Sequence, residues 1–313
     1  MNGMELSKAF YTEIGEPMLR ERFPELLPFL AVGLTGSGSE CYGFDDEISQ
    51  DHDFEPGFCI FVPGENIVDR KAAFALERAY AALPRQFKGF RRSYSAPVGG
   101  ARHGVLRTAE FMTEKVGAAD GKLSTLQWLS IPDYALAEAV NGEIFADHYG
   151  EITAIRERIR KRPEDVRRKK LAGHLLLMAQ AGQYNYLRCL AHGETAAAQL
   201  AVAEFVKSAM AAAFLLGGAY QPYYKWSFRA MRTLPVLPYV PELLEYLLTT
   251  NNEPKTRKEK HKVIEDIAAD VIRELEAQGL TGADSADLER RAYSGNDRVA
   301  DPQLRNMHIL AGV

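Results

Sequence analysis

The segment FLAVGLTGSGSECYG (29–43) limits the fold more than any other, because an uncharged run over 29–35 passes directly into two Gly-Ser pairs. Such a run ending in glycine reads as a buried strand followed by a tight turn, where the backbone can come close to a bound group. A second apolar run, Phe58 to Val62, lies between Pro56-Gly57 and Pro63-Gly64 and reads as another strand. HGVLRTAEFM (103–112) reads as a third strand passing into a helix. Helical spacing, with apolar residues three and four apart, marks 5–22 and 66–83. From about residue 120 strand signals fade, and helical periodicity runs to about residue 278, punctuated by Gly142, Pro163 and Gly193. The expected fold class is therefore α+β: a small mixed-sheet domain over 1–150 that includes the N-terminal helix, then an α-helical bundle over 151–313. The last 30 or so residues lose periodicity and read as a tail packed on the body.

Between the first two strands lies DHD, with Asp51 and Asp53 two positions apart. Side chains alternate along a strand, so these carboxylates would share one face while His52 points away. Two carboxylates in one small volume repel unless a cation lies between them. Magnesium suits the position, since it takes a few carboxylates together with phosphate oxygens and water. Two such ions can clamp the attacking and leaving oxygens of an in-line displacement. The turn supplies the complement: Gly38 lets the backbone approach a phosphate, and the amides of Ser39 and Glu40 can donate to it. Alone, DxD is usually a solvated pair and GSGS an ordinary turn. Their order, spacing and strand context are what point to a nucleoside triphosphate.

The stretch GSGSECYGFDDEISQDHDF (36–54) resembles the signature of the polymerase-β-like nucleotidyltransferase superfamily: a Gly-Ser turn after a strand, then Asp-x-Asp on the next. It is similar, more closely, to an uncharacterised bacterial family with this fold and a helical C-terminal domain, as are FYTEIGEPMLRERFPEL and YQPYYKW. The resemblance implies that Asp51 and Asp53 bind metal, two Mg²⁺ ions in all, and that Gly38 and Ser39 hold the terminal phosphates of ATP. Antibiotic nucleotidyltransferases of similar architecture carry a third acid on a later strand, often as general base. Here GVLRTAEFM has Arg107 within the strand and offers Glu110 at its end; Glu110 is the candidate base, and an ordinary helix-start glutamate is the competing reading. Related enzymes use a lysine of the helical domain against the triphosphate, which by similarity is Lys225, with a surface lysine as the alternative.

Other features constrain partners. Glu40 belongs to the nucleotide-binding group with Gly38, Ser39 and Lys225, while Asp45, Asp46 and Glu47 read as solvated or capping. RERIRKRPEDVRRKK (156–170) has nine basic residues against three acidic ones and reads as a solvated helix-turn-helix surface; EPKTRKEKHK (253–262) reads as a loop or exposed helix. Few aromatics interleave these charges, so nucleic acid is not the expected partner. Arg91 and Arg92 can reach a phosphate or face water, and Asp133 reads as a helix-start residue. His174 reads as a core histidine. The net charge of −4 gives no pull toward membrane or nucleic acid. Three widely spaced cysteines argue against a disulfide framework, and with no signal-peptide pattern the expected location is the cytoplasm. The apolar stretch 196–220 contains Glu204 and Lys207 and reads as a buried helix rather than a membrane span. The activity expected is Mg-dependent transfer of AMP from ATP to a hydroxyl of a small molecule or protein. The alternative is a nucleotide-binding regulator of antitoxin type that lacks turnover.

Overall fold

The computed structural model describes residues 1–49, 54–92 and 102–313. Asp51 and Asp53 lie outside the described residues. The architecture is α+β, with a small mixed sheet and many helices. The chain divides into two compact units, one of 1–123 with 134–161 and one of 124–133 with 162–313.

The first unit is built on a four-stranded sheet. Strands β1 (Ala31–Leu34) and β2 (Cys59–Val62) are antiparallel neighbours and fully buried. A small hairpin, β3 (Gln86–Phe87) with β4 (Phe90–Arg91), stands apart from it. β5 (Gly104–Arg107) pairs parallel to β2, and β6 (Glu143–Asp147) pairs antiparallel to β1, giving the order β5-β2-β1-β6. β6 was not expected from the sequence, where the region past residue 120 reads as helix. It is an edge strand of five residues, all half-buried, so its EIFAD sequence carries no buried-strand signature. Gly33 makes the pairing possible, because a Cβ there would lie 2.5 Å from the Glu143 carbonyl oxygen. The register shifts between Val32 and Gly33 at that point.

The alternation of β2 sorts the two faces of the sheet. Phe58, Ile60 and Val62 join Val32 in a core covered by Leu6, Phe10 and Leu19 of the N-terminal helices and by Leu76 and Tyr80 of helix Arg70–Ala81. The N-terminal helix starts in a capping box between Asn2 and Glu5 and winds through a π turn at Tyr11–Gly15. Gly15 is required there, since a Cβ would lie 2.4 Å from the Phe58 ring. On the other face, Phe61 meets Phe111 of helix Thr108–Val116 edge-on at 5.3 Å. Cys59 shares that second face.

The second unit is a helical bundle. Helix Thr195–Leu216 is its centre, presenting Ala198, Val202, Phe205, Val206 and Ala209 at helical spacing to Glu164–Met178, Val240–Thr249 and Arg257–Ala277. Among the described residues it is the one helix long and apolar enough to cross a membrane, yet 61% of its most apolar window is buried within the protein. The expected tail is instead two further helices, Leu288–Asn296 and Pro302–Asn306, the first packed on Glu164–Met178.

The basic runs are corrected as well. Arg156, Lys169, Lys170 and Lys260 are buried, not solvated. Lys169 Nζ donates to Asn296 Oδ1 at 2.9 Å and to the Met307 carbonyl at 2.7 Å, which ties the C-terminal helices to Glu164–Met178. Lys260 Nζ donates to Gln199 Oε1, the Thr250 carbonyl and Asn252 Oδ1, all neutral acceptors, and burial pushes its pKa down to about 8. A buried lysine survives when its three donors find acceptors. Charge density in the sequence does not reveal which lysine has them.

Candidate functional site

At the C-terminal end of β1 the chain leaves the sheet through Thr35 and Gly36, turns, and enters a short 3₁₀ helix, Ser39–Tyr42, closed by Gly43 in the left-handed conformation. Gly36 has φ +131°, which side-chain-bearing residues rarely adopt. Within the 3₁₀ turn the Cys41 amide donates to the Gly38 carbonyl and the Phe44 amide to the Ser39 carbonyl. Among the described residues, the amides of Ser37, Gly38, Ser39 and Glu40 have no protein acceptor. Consecutive free amides at a turn are the backbone's means of holding an anion.

This turn forms one wall of a cavity of about 180 Å³, with β2, β5 and helix Thr108–Val116 forming the others. That is smaller than the roughly 300–1,000 Å³ of a site enclosing a drug-sized ligand, and its size suits phosphate groups better than a whole nucleotide. Gly38 and Glu40 line it, as does Ser37; Ser39 opens the 3₁₀ helix and is not among the lining residues. Glu40 folds over Gly38, with its Oε1 only 1.9 Å from where a Cβ would stand, so position 38 admits no side chain unless Glu40 moves.

The far wall carries Glu110, Glu114 and Lys115. Glu110 stands exposed in the first turn of helix Thr108–Val116. β5 itself carries no acid. Its one charged residue, Arg107, donates to the carbonyls of Pro63 and Val68, both at 2.6 Å, and so holds the loop after β2. Lys115 is mostly buried and pairs with Glu138 at 2.8 Å. Lys115 carries no sequence signal because it lies in an ordinary amphipathic helix. Two thiols, Cys41 and Cys59, border the cavity; burial pushes the first well above the usual thiol range and the second up to about 12. Both therefore stay protonated and pack as small apolar residues.

Asn141 holds the turn, a role that sequence reasoning missed. Its Oδ1 accepts from the Gly36 amide at 2.9 Å and from Thr35 Oγ1 at 3.0 Å, and its Nδ2 donates to the Gly36 carbonyl at 2.7 Å. The one visible signal was the Asn-Gly dipeptide after helix Asp133–Val140, which reads only as a helix stop.

Of the other expected residues, Asp45 accepts from the Gly3 amide at 2.6 Å and Asp46 caps its own loop at Ile48 and Ser49. Arg92 is spent on the Tyr80 and Leu83 carbonyls and on the Tyr80 ring, so it does not serve a phosphate; Arg91 is exposed on the hairpin. Lys225 belongs to the second unit, exposed in the first turn of helix Tyr224–Met231, with its ammonium 4.9 Å from the Trp226 ring centroid. Asp133 is no ordinary helix-start residue: it bonds Arg162 and, at 3.0 Å, Lys170, all largely buried. His174 lies beside this cluster with its Nδ1 sealed and without a hydrogen-bond partner, and burial pushes its pKa down to about 4. It is a neutral histidine of the interior, though not the hydrogen-bonded one expected of a core position.

A family model described as a domain of unknown function, DUF4037, matches residues 128–227. A solved structure of a nucleotidyltransferase-like protein from Exiguobacterium sibiricum 255-15 overlays with a TM-score of 0.36 at 12% identity, covering 85% of this chain and 76% of that one. No curated protein matches the chain.

Proposed function

We propose that this protein is a nucleotidyltransferase that moves a nucleoside monophosphate, AMP from ATP, onto a hydroxyl of a small-molecule or protein acceptor. The acceptor oxygen attacks the α-phosphorus, the bond from that phosphorus to the bridging oxygen breaks, and pyrophosphate leaves. The observation that carries the reading is the turn Gly36–Glu40: four backbone amides without a protein acceptor among the described residues, on the wall of a cavity and eleven to fifteen positions ahead of Asp51.

Magnesium fits the chemistry of the donor set. The described walls offer carboxylates at Glu40, Glu110 and Glu114, while the two nearby thiols are held neutral by burial. Among the described residues no three acidic, cysteine or histidine side chains converge on one point. The ligands proposed for the metal are Asp51 and Asp53, from their spacing and from the resemblance, hard oxygen donors of the kind magnesium takes. When bound, the ions would neutralise charge on the phosphates and on the leaving pyrophosphate. The turn orients the terminal phosphates through its amides. Glu110, exposed on the cavity wall, accepts the proton of the acceptor hydroxyl.

A second reading, a nucleotide-binding regulator without turnover, is favoured by one observation: β5 carries no carboxylate, and its charged residue Arg107 is committed to backbone carbonyls. Two assays separate the readings. The melting midpoint should rise with ATP only when magnesium is present. Pyrophosphate release over a panel of hydroxyl acceptors then distinguishes an enzyme from a binder, and no ATP-dependent rise at all would refute both.

A further inference from the structure

The turn at Gly36 is held by hydrogen bonds. Among the described residues, nothing lies within 4 Å of the position a Gly36 Cβ would occupy. What holds it is a short stretch of chain on the neighbouring element. Asn141 forms a two-way bond with one residue, accepting from the Gly36 amide and donating to the Gly36 carbonyl, and takes the Thr35 hydroxyl as well. Gly142, next in sequence, donates its amide to the Cys41 carbonyl at 2.9 Å. One dipeptide therefore closes both ends of the segment whose amides have no acceptor among the described residues. Gly142 sits at φ +64°, and a Cβ there would lie 2.0 Å from the Leu34 carbonyl oxygen, so the dipeptide presses against the strand end itself.

The dipeptide is supported from behind. Arg156, 2% exposed, donates through Nη2 to the carbonyls of Val140 and Asn141, and Arg160 donates to the Val140 carbonyl at 2.8 Å. The Nε and Nη1 groups of Arg156 are buried without an acceptor. Leaving donors of a charged group unsatisfied costs free energy, so nearby packing and the two carbonyl bonds must hold it in place.

We propose that Asn141 is the positioning residue of the triphosphate-binding turn, fixing the Gly36 peptide so that the amides of Ser37 to Glu40 face the phosphates, with Arg156 holding Asn141 in turn. This rests on reading the turn as the phosphate site. Only an amide side chain meets the requirement, since it must offer an acceptor and a donor side by side. A carboxylate of the same shape keeps the acceptor but sets an oxygen against the Gly36 carbonyl.

The test uses the full chain and two variants, Asn141→Asp and Thr35→Val, with MgATP and magnesium tripolyphosphate as probes. Titration calorimetry gives Kd, and the rise in melting midpoint on adding probe is taken against each variant's own ligand-free midpoint. Asn141→Asp should weaken both probes at least tenfold and abolish most of the probe-induced rise. Thr35→Val removes the hydroxyl contacts to Asn141 Oδ1 and the Glu138 carbonyl and keeps both Gly36 bonds, so it should weaken them only about threefold. A loss confined to the ligand-free midpoint, with Kd unchanged, would reduce Asn141 to a structural residue and overturn the proposal. If Asn141→Asp does not fold, Thr35→Val decides alone: unchanged affinity overturns it. Failure of the wild type to bind either probe removes instead the functional reading beneath it.

Discussion

Replacing Asp133 by asparagine should destabilise the second unit by about 3–5 kcal/mol, the usual cost of leaving a buried charge without its partner. Asp133 faces two cations, Lys170 at 3.0 Å and Arg162 through its other oxygen, with all three side chains less than a fifth exposed. At an effective dielectric near 20, one such pair at that distance attracts by about 5 kcal/mol before desolvation is subtracted. Asparagine keeps the shape and removes the anion, so Arg162 and Lys170 are left buried together. Lys170→Met leaves Asp133 its Arg162 partner and should cost less, about 1–2 kcal/mol. The double variant should then cost less than the sum of the two. Burial pushes the Asp133 carboxyl up, but Arg162 and Lys170 outweigh it, so its pKa lies below the ordinary 3.8. The stabilisation is therefore complete above about pH 4 and lost as pH falls through the folded-state value, where the gap to Asp133→Asn should narrow. Both tryptophans, Trp128 and Trp226, lie in the second unit, so urea unfolding followed by tryptophan fluorescence reports on it selectively. A cost for Asp133→Asn below 1 kcal/mol, or one no larger than that of Lys170→Met, would refute the reasoning.

Two further outcomes are expected. Gly142→Ala places a Cβ on a left-handed residue 2.0 Å from the Leu34 carbonyl oxygen, a backbone atom that cannot swing aside; it should cost about 3 kcal/mol or more, and circular dichroism showing a melting midpoint within 1 °C of wild type would contradict that. Lys260 has a folded-state pKa of about 8 against an ordinary 10.5, so between those values the unfolded chain binds more protons and stability should rise with pH; in Lys260→Met that rise should be absent, and an equal rise in both proteins would locate it elsewhere.

The layout of the first unit was legible because its strands and turn are built from strong local signals. The run ending at Thr35, the Pro-Gly pairs around Phe58 to Val62, and the glycines of the turn all specify backbone shape directly. β6 was hidden because an edge strand of half-buried residues has no apolar run. The buried cations were hidden for a different reason. Arg156, Lys169, Lys170 and Lys260 differ from solvated neighbours only in the acceptors that wait for them, such as Asn296 and the Met307 carbonyl far along the chain. Asn141 was missed on the same ground, since its partners at Thr35 and Gly36 lie more than a hundred residues away in sequence. The acid pair at Asp51 and Asp53 remains a proposal drawn from spacing, and its test is chemical.

That test is mass spectrometry of cell lysate incubated with isotope-labelled ATP, magnesium and the protein, beside the Asp51→Asn/Asp53→Asn variant. Nucleotidyl transfer predicts one molecular species carrying the labelled nucleoside monophosphate, with pyrophosphate formed in equal amount and neither product in the variant. Label that appears equally with the variant, or ATP that is bound and returned intact, would contradict it.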